Sequence, residues 1–361
     1  MLARYSSCQC NRRWESLILS LMLVLFSCSS RNSETILLSS VQLPGEYRAI
    51  VWLPDGNFVG GRQDTDFKTT YWSFSKTGTR ITQVPLPSDS HCKRGVRYHA
   101  PRLLPDGRLG LVQACLGRWP ERPISDDRVL VAYDFETSSL AQLVAGSLPS
   151  SKLSGTFTWN PQMSRGVQLA SNGLFGALYW IDPGGTEPIT ATVKNDNKTW
   201  SLAADVEDML DSNRTDFILP GSVDWSPDGK EVAFWVSFDA VRRDGSARSE
   251  GEWLLYTMDP MSLQTIKRME GIYHPYGLRW SPDSEWLAFF GQTDPNGPIS
   301  LWVYSTSNNT QTMIAPADSK YTGDPVWSVD GQQLAVLRSD VQEQMSEIRI
   351  FDVSKVIGTA P

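Results

Sequence analysis

The sequence predicts an all-β chain: a six-bladed β-propeller closed by an N-terminal strand, with one short helical insertion. Three observations carry that expectation. A strand–turn–strand phrase recurs six times along the chain, further strand-like runs follow the copies, and the last copy is one strand short.

The phrase is clearest in VDWSPDGKEVAFWV (223–236) and LRWSPDSEWLAFFG (278–291). Pro227 presets the φ that opens a type I turn, Asp228 accepts hydrogen bonds from turn amides, and Gly229 tolerates the positive φ that closes a hairpin. The flanks are apolar, β-branched or aromatic, as in half-buried strands. Aligning the copies gives a turn column of Asp55, Asp106, Gln162, Asp228, Asp283 and Asp330, with gaps of 51, 56, 66, 55 and 47 residues. Three residues earlier stand Trp52, Leu103, Trp159, Trp225, Trp280 and Trp327. A large indole at that point buries apolar area between neighbouring sheets, which a single blade cannot do alone.

Taken in order, residues 35–44 (TILLSSVQLP) form a strand ahead of the first copy. TYWSFS and TRITQV complete the first repeat, EWLLYTMD and QTIKRME the fourth, ISLWVYS and QTMIAPA the fifth. After SEIRIFDV the sixth repeat lacks a strand, and residues 35–44 are the candidate to supply it, leaving no loose edge at the joint. An irregular sandwich is the alternative architecture. The long gap before Asp228 holds an insertion in which SLAADVEDMLD places Leu202, Val206 and Met209 on one helical face, with Ser201 as N-cap.

The WSPDG phrase resembles the repeat of TolB-like six-bladed propellers, the WD40-like or PD40 group, over about residues 35–358. The resemblance implies the fold and is nearly silent on function. TolB carries a separate α/β domain before its propeller, and prolyl oligopeptidase relatives carry a hydrolase domain. This chain has neither, nor a G-x-S-x-G elbow, so neither parent activity carries over.

The N-terminus sets an expected address. Residues 1–27 have a basic start and an apolar run from Leu17 to Phe26, too short to span a bilayer and suited to a signal peptide. LFSC resembles a bacterial lipobox, with Leu25 at −3, Ser27 at −1 and Cys28 as the lipidated (palmitate-bearing) residue; a plain secretory signal is the alternative. Residues 28–34 then form the anchored cysteine and a short polar stalk, and residues 35–361 the propeller. The expected location is outside the cytoplasm, as a membrane-anchored lipoprotein of the cell envelope. Removing residues 1–27 takes the net charge from −7 to −9, which argues against nucleic acid as partner. Cys92 and Cys115 remain as an even pair in an oxidising compartment. Folding the second hairpin about residues 105–107 brings Cys115 roughly opposite Arg97, on the same end of the blade as Cys92, so the pair is an expected disulfide; two unpaired thiols are the alternative.

In an up-and-down blade the WSPDG turns mark one face, and the long connecting loops mark the other, where functional residues concentrate. Arg94, Arg97, His99, Arg118, Trp119, Tyr273, His274 and Tyr276 fall on the loop face and form a candidate basic, aromatic mouth. Arginine forks and stacking rings suit an acidic peptide or a sugar. The residues indicate no catalytic motif, no cofactor and no metal site. The expected function is therefore binding or scaffolding by a monomer that recognises an envelope protein, peptide or glycan. The alternative is a propeller hydrolase or lyase using loop-face histidines and acids.

Overall fold

The structure is a computed structural model and describes residues 37–63, 69–87, 92, 95–116, 124–144, 157–171, 176–195, 198–202, 219–238, 251–316 and 318–357. The expected signal segment, Cys28, the stalk, and Val206 and Met209 of the expected helix lie outside the described residues.

The recurring turns fold as their residues dictate. In the fourth copy the Gly229 amide donates to the Ser226 carbonyl at 2.9 Å, closing a β-turn over Pro227 and Asp228. Asp228 Oδ1 accepts from the Ser226 hydroxyl at 2.7 Å and from the Lys230 amide at 3.1 Å. The residue after the turn column has positive φ in every copy: 84° at Gly56, 84° at Gly107, 55° at Met163, 80° at Gly229, 63° at Ser284 and 71° at Gly331. Glycine adopts this region freely; Met163 and Ser284 are held there by the same hairpin geometry.

Strand β1 (Leu37–Pro44) precedes the first sheet, β2–β5 (Tyr47–Trp52, Phe58–Gln63, Thr69–Phe74, Arg80–Val84). The second sheet is β6–β9 (Val96–Leu103, Leu109–Leu116, Ile124–Asp134, Ser139–Gln142), and the third is β10–β13 (Phe157–Trp159, Gly166–Ser171, Gly176–Asp182, Gly185–Pro188). A hairpin, β14–β15 (Thr192–Asn195, Lys198–Ser201), follows. Next comes a seven-stranded sheet, β16–β22 (Leu219–Trp225, Val232–Ser237, Glu252–Met258, Thr265–Trp280, Trp286–Gln292, Ser300–Ser305, Thr310–Ala315). The last sheet has the order β1-β25-β24-β23, with β23–β25 at Tyr321–Trp327, Gln333–Asp340 and Met345–Asp352. A single-turn helix, α1 (Ser354–Ile357), ends the described chain.

All strand pairs are antiparallel, and packing between sheets follows the chain order of a β-propeller. The first indole, Trp52, joins Tyr47, Phe58 and Phe74 in a cluster with Ala335, Leu337, Ile348 and Ile350 of the last sheet. Trp159 packs with Leu104, Val112 and Leu130 of the second sheet, and Trp225 with Val167, Leu178 and Trp180 of the third. Trp280 packs with Ala233, Trp235 and Leu255, and Trp327 lies against the cluster of Phe290, Leu301 and Val336. Each indole of the column thus faces the preceding repeat, which is why one residue type recurs at one spacing.

Strand β1 enters the last sheet by pairing with β25, Val41 opposite Ile348 and Leu43 opposite Ser346. Its second half alternates as a strand buried on one face does, with Val41 and Leu43 buried between exposed Ser40, Gln42 and Pro44, whereas Leu37 and Leu38 at its start are 41% and 52% exposed. The Gly45 amide donates to Gln344 O at 3.0 Å, and the Tyr47 amide to Ser346 Oγ at 2.9 Å, so the first and last sheets are also hydrogen-bonded.

Two local features differ from the sequence reading. The segment GIYHPYG (271–277), whose Tyr273, His274 and Tyr276 are expected on the face of the connecting loops, lies inside the 16-residue strand β19, where Tyr273 pairs with both Glu252 and Gln292. Ladder partners on both sides hold the segment extended, and bulges at His274 (φ 49°) and Gly277 (φ 70°) turn it from one repeat to the next. Cys115 lies opposite Val96 rather than Arg97, because a bulge between His99 and Arg102 shifts the register by one residue.

Leu43→Ala should destabilise the protein by about 2–5 kcal/mol, as buried leucine truncations do. Leu38→Ala on the same strand should stay within about 0.5 kcal/mol. Urea unfolding of the two variants checks this, and equal effects would mean that β1 does not dock through its inner face.

Candidate functional site

The inner strands converge on a cavity of about 500 Å³ that opens on the face of the recurring turns. Its lining comes from equivalent stretches of every copy of the phrase: residues 50–54, 101–107, 158–161, 224–227, 279–282 and 326–329. The wall holds Trp52, Trp159, Trp225, Trp280 and Trp327, and the rim holds Pro54, Pro105, Pro161, Pro227, Pro282 and Val329. The columns that mark the repeat therefore also build the cavity.

Chemistry enters one residue before the indole column. That position is Val51, Arg102, Thr158, Asp224, Arg279 or Val326. Bulges between His99 and Arg102, Pro220 and Val223, and Tyr276 and Arg279 precede the three charged members on their strands. A bulge re-aims the side chains that follow it, so the charged groups meet across the axis instead of alternating outward.

The centre of this arrangement is the Asp224 carboxylate. Its Oδ1 accepts from Arg102 Nη2 at 2.6 Å, from Thr158 Oγ1 at 3.1 Å and from the Trp225 amide at 3.1 Å. Its Oδ2 accepts from the Trp280 amide at 2.7 Å. Arg102 Nη1 donates to the Phe157 carbonyl. Burial pushes the Asp224 carboxyl above the ordinary range, while Arg102, the Trp280 amide and the Thr158 hydroxyl pull against that rise. Arg279 pairs with Asp324. Two indoles of the wall bond to the repeat before them: Trp280 Nε1 donates to Asp224 O and Trp327 Nε1 to Arg279 O, both at 3.2 Å. The floor is thus polar, charge-balanced and cross-linked, beneath an aromatic wall.

The loop-face residues sit at the other end of the same strands. Arg97 and His99 are half-buried on β6, opposite Ala114 and Val112. Tyr273, His274 and Tyr276 are half-buried on β19. Tyr276 stacks on Phe290 with ring centroids 4.8 Å apart and donates to Tyr321 O at 3.3 Å. Burial, with Asp324 and Tyr321 nearby, pushes its hydroxyl up to about 12, so it acts as a packed neutral phenol. Arg94, Arg118 and Trp119 lie outside the described residues. Cys92 and Cys115 are bonded to each other, with Cα atoms 5.1 Å apart, and tie the entry to β6 to the end of β7. Among the described residues there is no group of three or more His, Cys, Asp or Glu side chains able to hold a metal ion, and no helix long and apolar enough to cross a membrane.

The cavity was missed in the sequence because its walls look structural. The available signal was the variation in the residue before each member of the column of five Trp and Leu103: three of six are charged at positions that a purely apolar contact would not need.

No family model matches the chain. Over 128 residues it is 30% identical to Tricorn protease homolog 1 of Streptomyces coelicolor, a match covering 34% of this chain and 12% of that protein. Among solved structures, TolB from Acinetobacter baumannii superposes with a TM-score of 0.51 and 13% identity over 85% of this chain and 63% of that chain. An oligogalacturonate lyase in complex with manganese gives a TM-score of 0.49 and 14% identity, covering 88% of this chain and 92% of that one. The chain therefore spans less than two thirds of the TolB chain and a small part of the tricorn homologue. The likeness to TolB shows the fold: this is a TolB-like β-propeller.

Asp224→Ala should cost about 3–5 kcal/mol, because it leaves Arg102 buried without its counter-charge. The double variant with Arg102→Ala should lose less than the sum of the two singles, by about 1 kcal/mol or more. A double-mutant cycle from urea melts measures this; additive losses would mean the pair is not coupled.

Proposed function

We propose that the chain is a six-bladed, ring-closed propeller that binds a segment of an envelope protein, a peptide or a glycan in its axial cavity, without catalysing a reaction. It acts as a monomer outside the cytoplasm, held at a membrane by lipid on Cys28. The observation that carries the binding reading is the cavity itself: about 500 Å³, walled by tryptophan and rimmed by proline and valine over a fixed polar floor. Ligand sites combine an apolar enclosure with a few oriented polar groups, and indole faces suit side chains and sugar rings alike. The floor's charged groups are engaged with one another, Arg102 with Asp224 and Arg279 with Asp324, which favours recognition over proton transfer. Support for six blades and closure comes from the six copies of the phrase and from the hydrogen-bonded junction between the first and last sheets. Support for the anchor comes from the LFSC segment alone.

Titration calorimetry with short peptides and oligosaccharides tests the site. Val329→Trp, which crowds the mouth from an exposed position, should weaken any ligand that binds by about tenfold or more, equivalent to about 1.4 kcal/mol. Arg97→Ala should leave it unchanged. The reverse pattern would move the site to the loop-face set of Arg97, His99, Tyr273, His274 and Tyr276.

Metabolic labelling with an alkyne fatty acid tests the anchor. Cys28→Ser should abolish the label and release the protein to the soluble fraction. A label retained by that variant would overturn the lipid anchor.

A further inference from the structure

The rim of the cavity is unevenly charged. Beside Pro54, Pro105, Pro161, Pro227, Pro282 and Val329 stand Asp55, Asp106, Gln162, Asp228, Asp283 and Asp330. Two of these acids are neutralised: Arg108 bridges Asp106 at 2.6 Å and Lys230 bridges Asp228 at 2.9 Å. Asp55 is met by the neutral side-chain amide of Asn57 at 2.8 Å. Asp283 and Asp330 each use Oδ1 for their own turns, accepting from the Glu285 amide at 3.0 Å and the Gln332 amide at 3.1 Å, and from the Ser281 and Ser328 hydroxyls. Neither makes an ion pair among the described residues, and exposed Glu285 follows two positions after Asp283. Lys76 is the one cation that bears on Asp330 among the described residues.

These acids share one side of the mouth. The turns of the fifth and sixth copies abut, since a Cβ on Gly331 would lie 3.5 Å from Pro282. Between Asp283 and Asp330 stands Val329, which occupies the proline position of the other copies and is 60% exposed. The sector therefore offers carboxylate charge around an exposed aliphatic step into the cavity. Below it the cavity's own charges cancel, Arg102 against Asp224 and Arg279 against Asp324, so the floor does not oppose a cation at the rim. Trp159 and Trp225 are buried in that wall, and their Nε1 groups have no hydrogen-bond partner among the described residues, unlike those of Trp280 and Trp327.

We infer that the cavity takes an apolar side chain of a peptide segment flanked by lysine or arginine, with the cation over the Asp283–Asp330 sector. This rests on the cavity being the binding site and adds the chemistry of what enters it. Charge complementarity at a rim selects among partners more than it sets raw affinity, and it weakens with salt.

The test uses the folded chain and three probes: acetyl-Lys-Gly-Trp-Gly-Lys-amide, and the same peptide with both lysines replaced by glutamate or by serine. At low salt the lysine peptide should bind about tenfold more tightly than the glutamate peptide, with the serine peptide between them. Asp283→Asn with Asp330→Asn keeps the turn acceptor and should reduce the lysine peptide to the affinity of the serine peptide. Val329→Lys, an exposed substitution, should weaken the lysine peptide and strengthen the glutamate peptide; it serves as the second variant if the double Asn variant melts early. Equal binding of the lysine and glutamate peptides, or a preference for glutamate, with all binding lost in Val329→Trp, would overturn this inference and leave the cavity reading standing. No binding by any peptide, or binding indifferent to Val329→Trp, would overturn both.

Discussion

The burial of one carboxylate organises the interior. Asp224 sits on the inner strand of the fourth repeat, yet it accepts hydrogen bonds from the second repeat through Arg102, the third through Thr158 and the fifth through the Trp280 amide. A charge taken out of water is tolerated only when its lone pairs are met, and here both oxygens are occupied by donors from different repeats. That requirement couples the relative placement of the sheets. If one slides along its neighbour, a donor to a buried charge is lost, whereas a purely apolar contact would allow small slips at low cost. The Arg279–Asp324 pair and the bond from Trp327 to Arg279 O extend the same constraint to the sixth repeat.

Around that centre the molecule separates two tasks that share one phrase. The indole faces the preceding repeat and supplies apolar contact at every joint but one, where Leu103 takes its place. The residue before it is released from that task, and so it varies between valine, arginine, threonine and aspartate. A scaffold repeated for packing thereby carries a floor that is not repeated, which is how one fold hosts unrelated ligands. The rim follows the same logic: the turn acids hold their turns in every copy that has one, while the side chains that meet them differ.

Much of the frame was legible because it depends on local chemistry. Pro-Asp-Gly encodes a turn in which the third position needs positive φ, and that φ appears in every copy, including those with Met163 and Ser284. The sixth repeat lacks a strand in the sequence, and β1 is hydrogen-bonded to β25 in the structure. The register around Cys115 was one residue off because a bulge has no sequence signature when its positive φ falls on Ala100 rather than glycine. GIYHPYG has no strand pattern of its own because glycine and proline break it, while the ladder partners that keep it extended come from strands β18 and β20.

The sequence by itself determined the repeat, the hairpin turns, the apolar joints and the strand left over at the N-terminus, since each follows from residues within a few positions of one another. Only the tertiary structure decided that Arg102, Thr158 and Asp224 meet, although 122 residues separate the arginine from the aspartate. It also decided that the cavity opens on the face of the short turns. The physical reason is the same in both cases. A long-range contact depends on the summed twist and bulges of every intervening strand, and those small rotations add up over all the sheets rather than within any one stretch of chain.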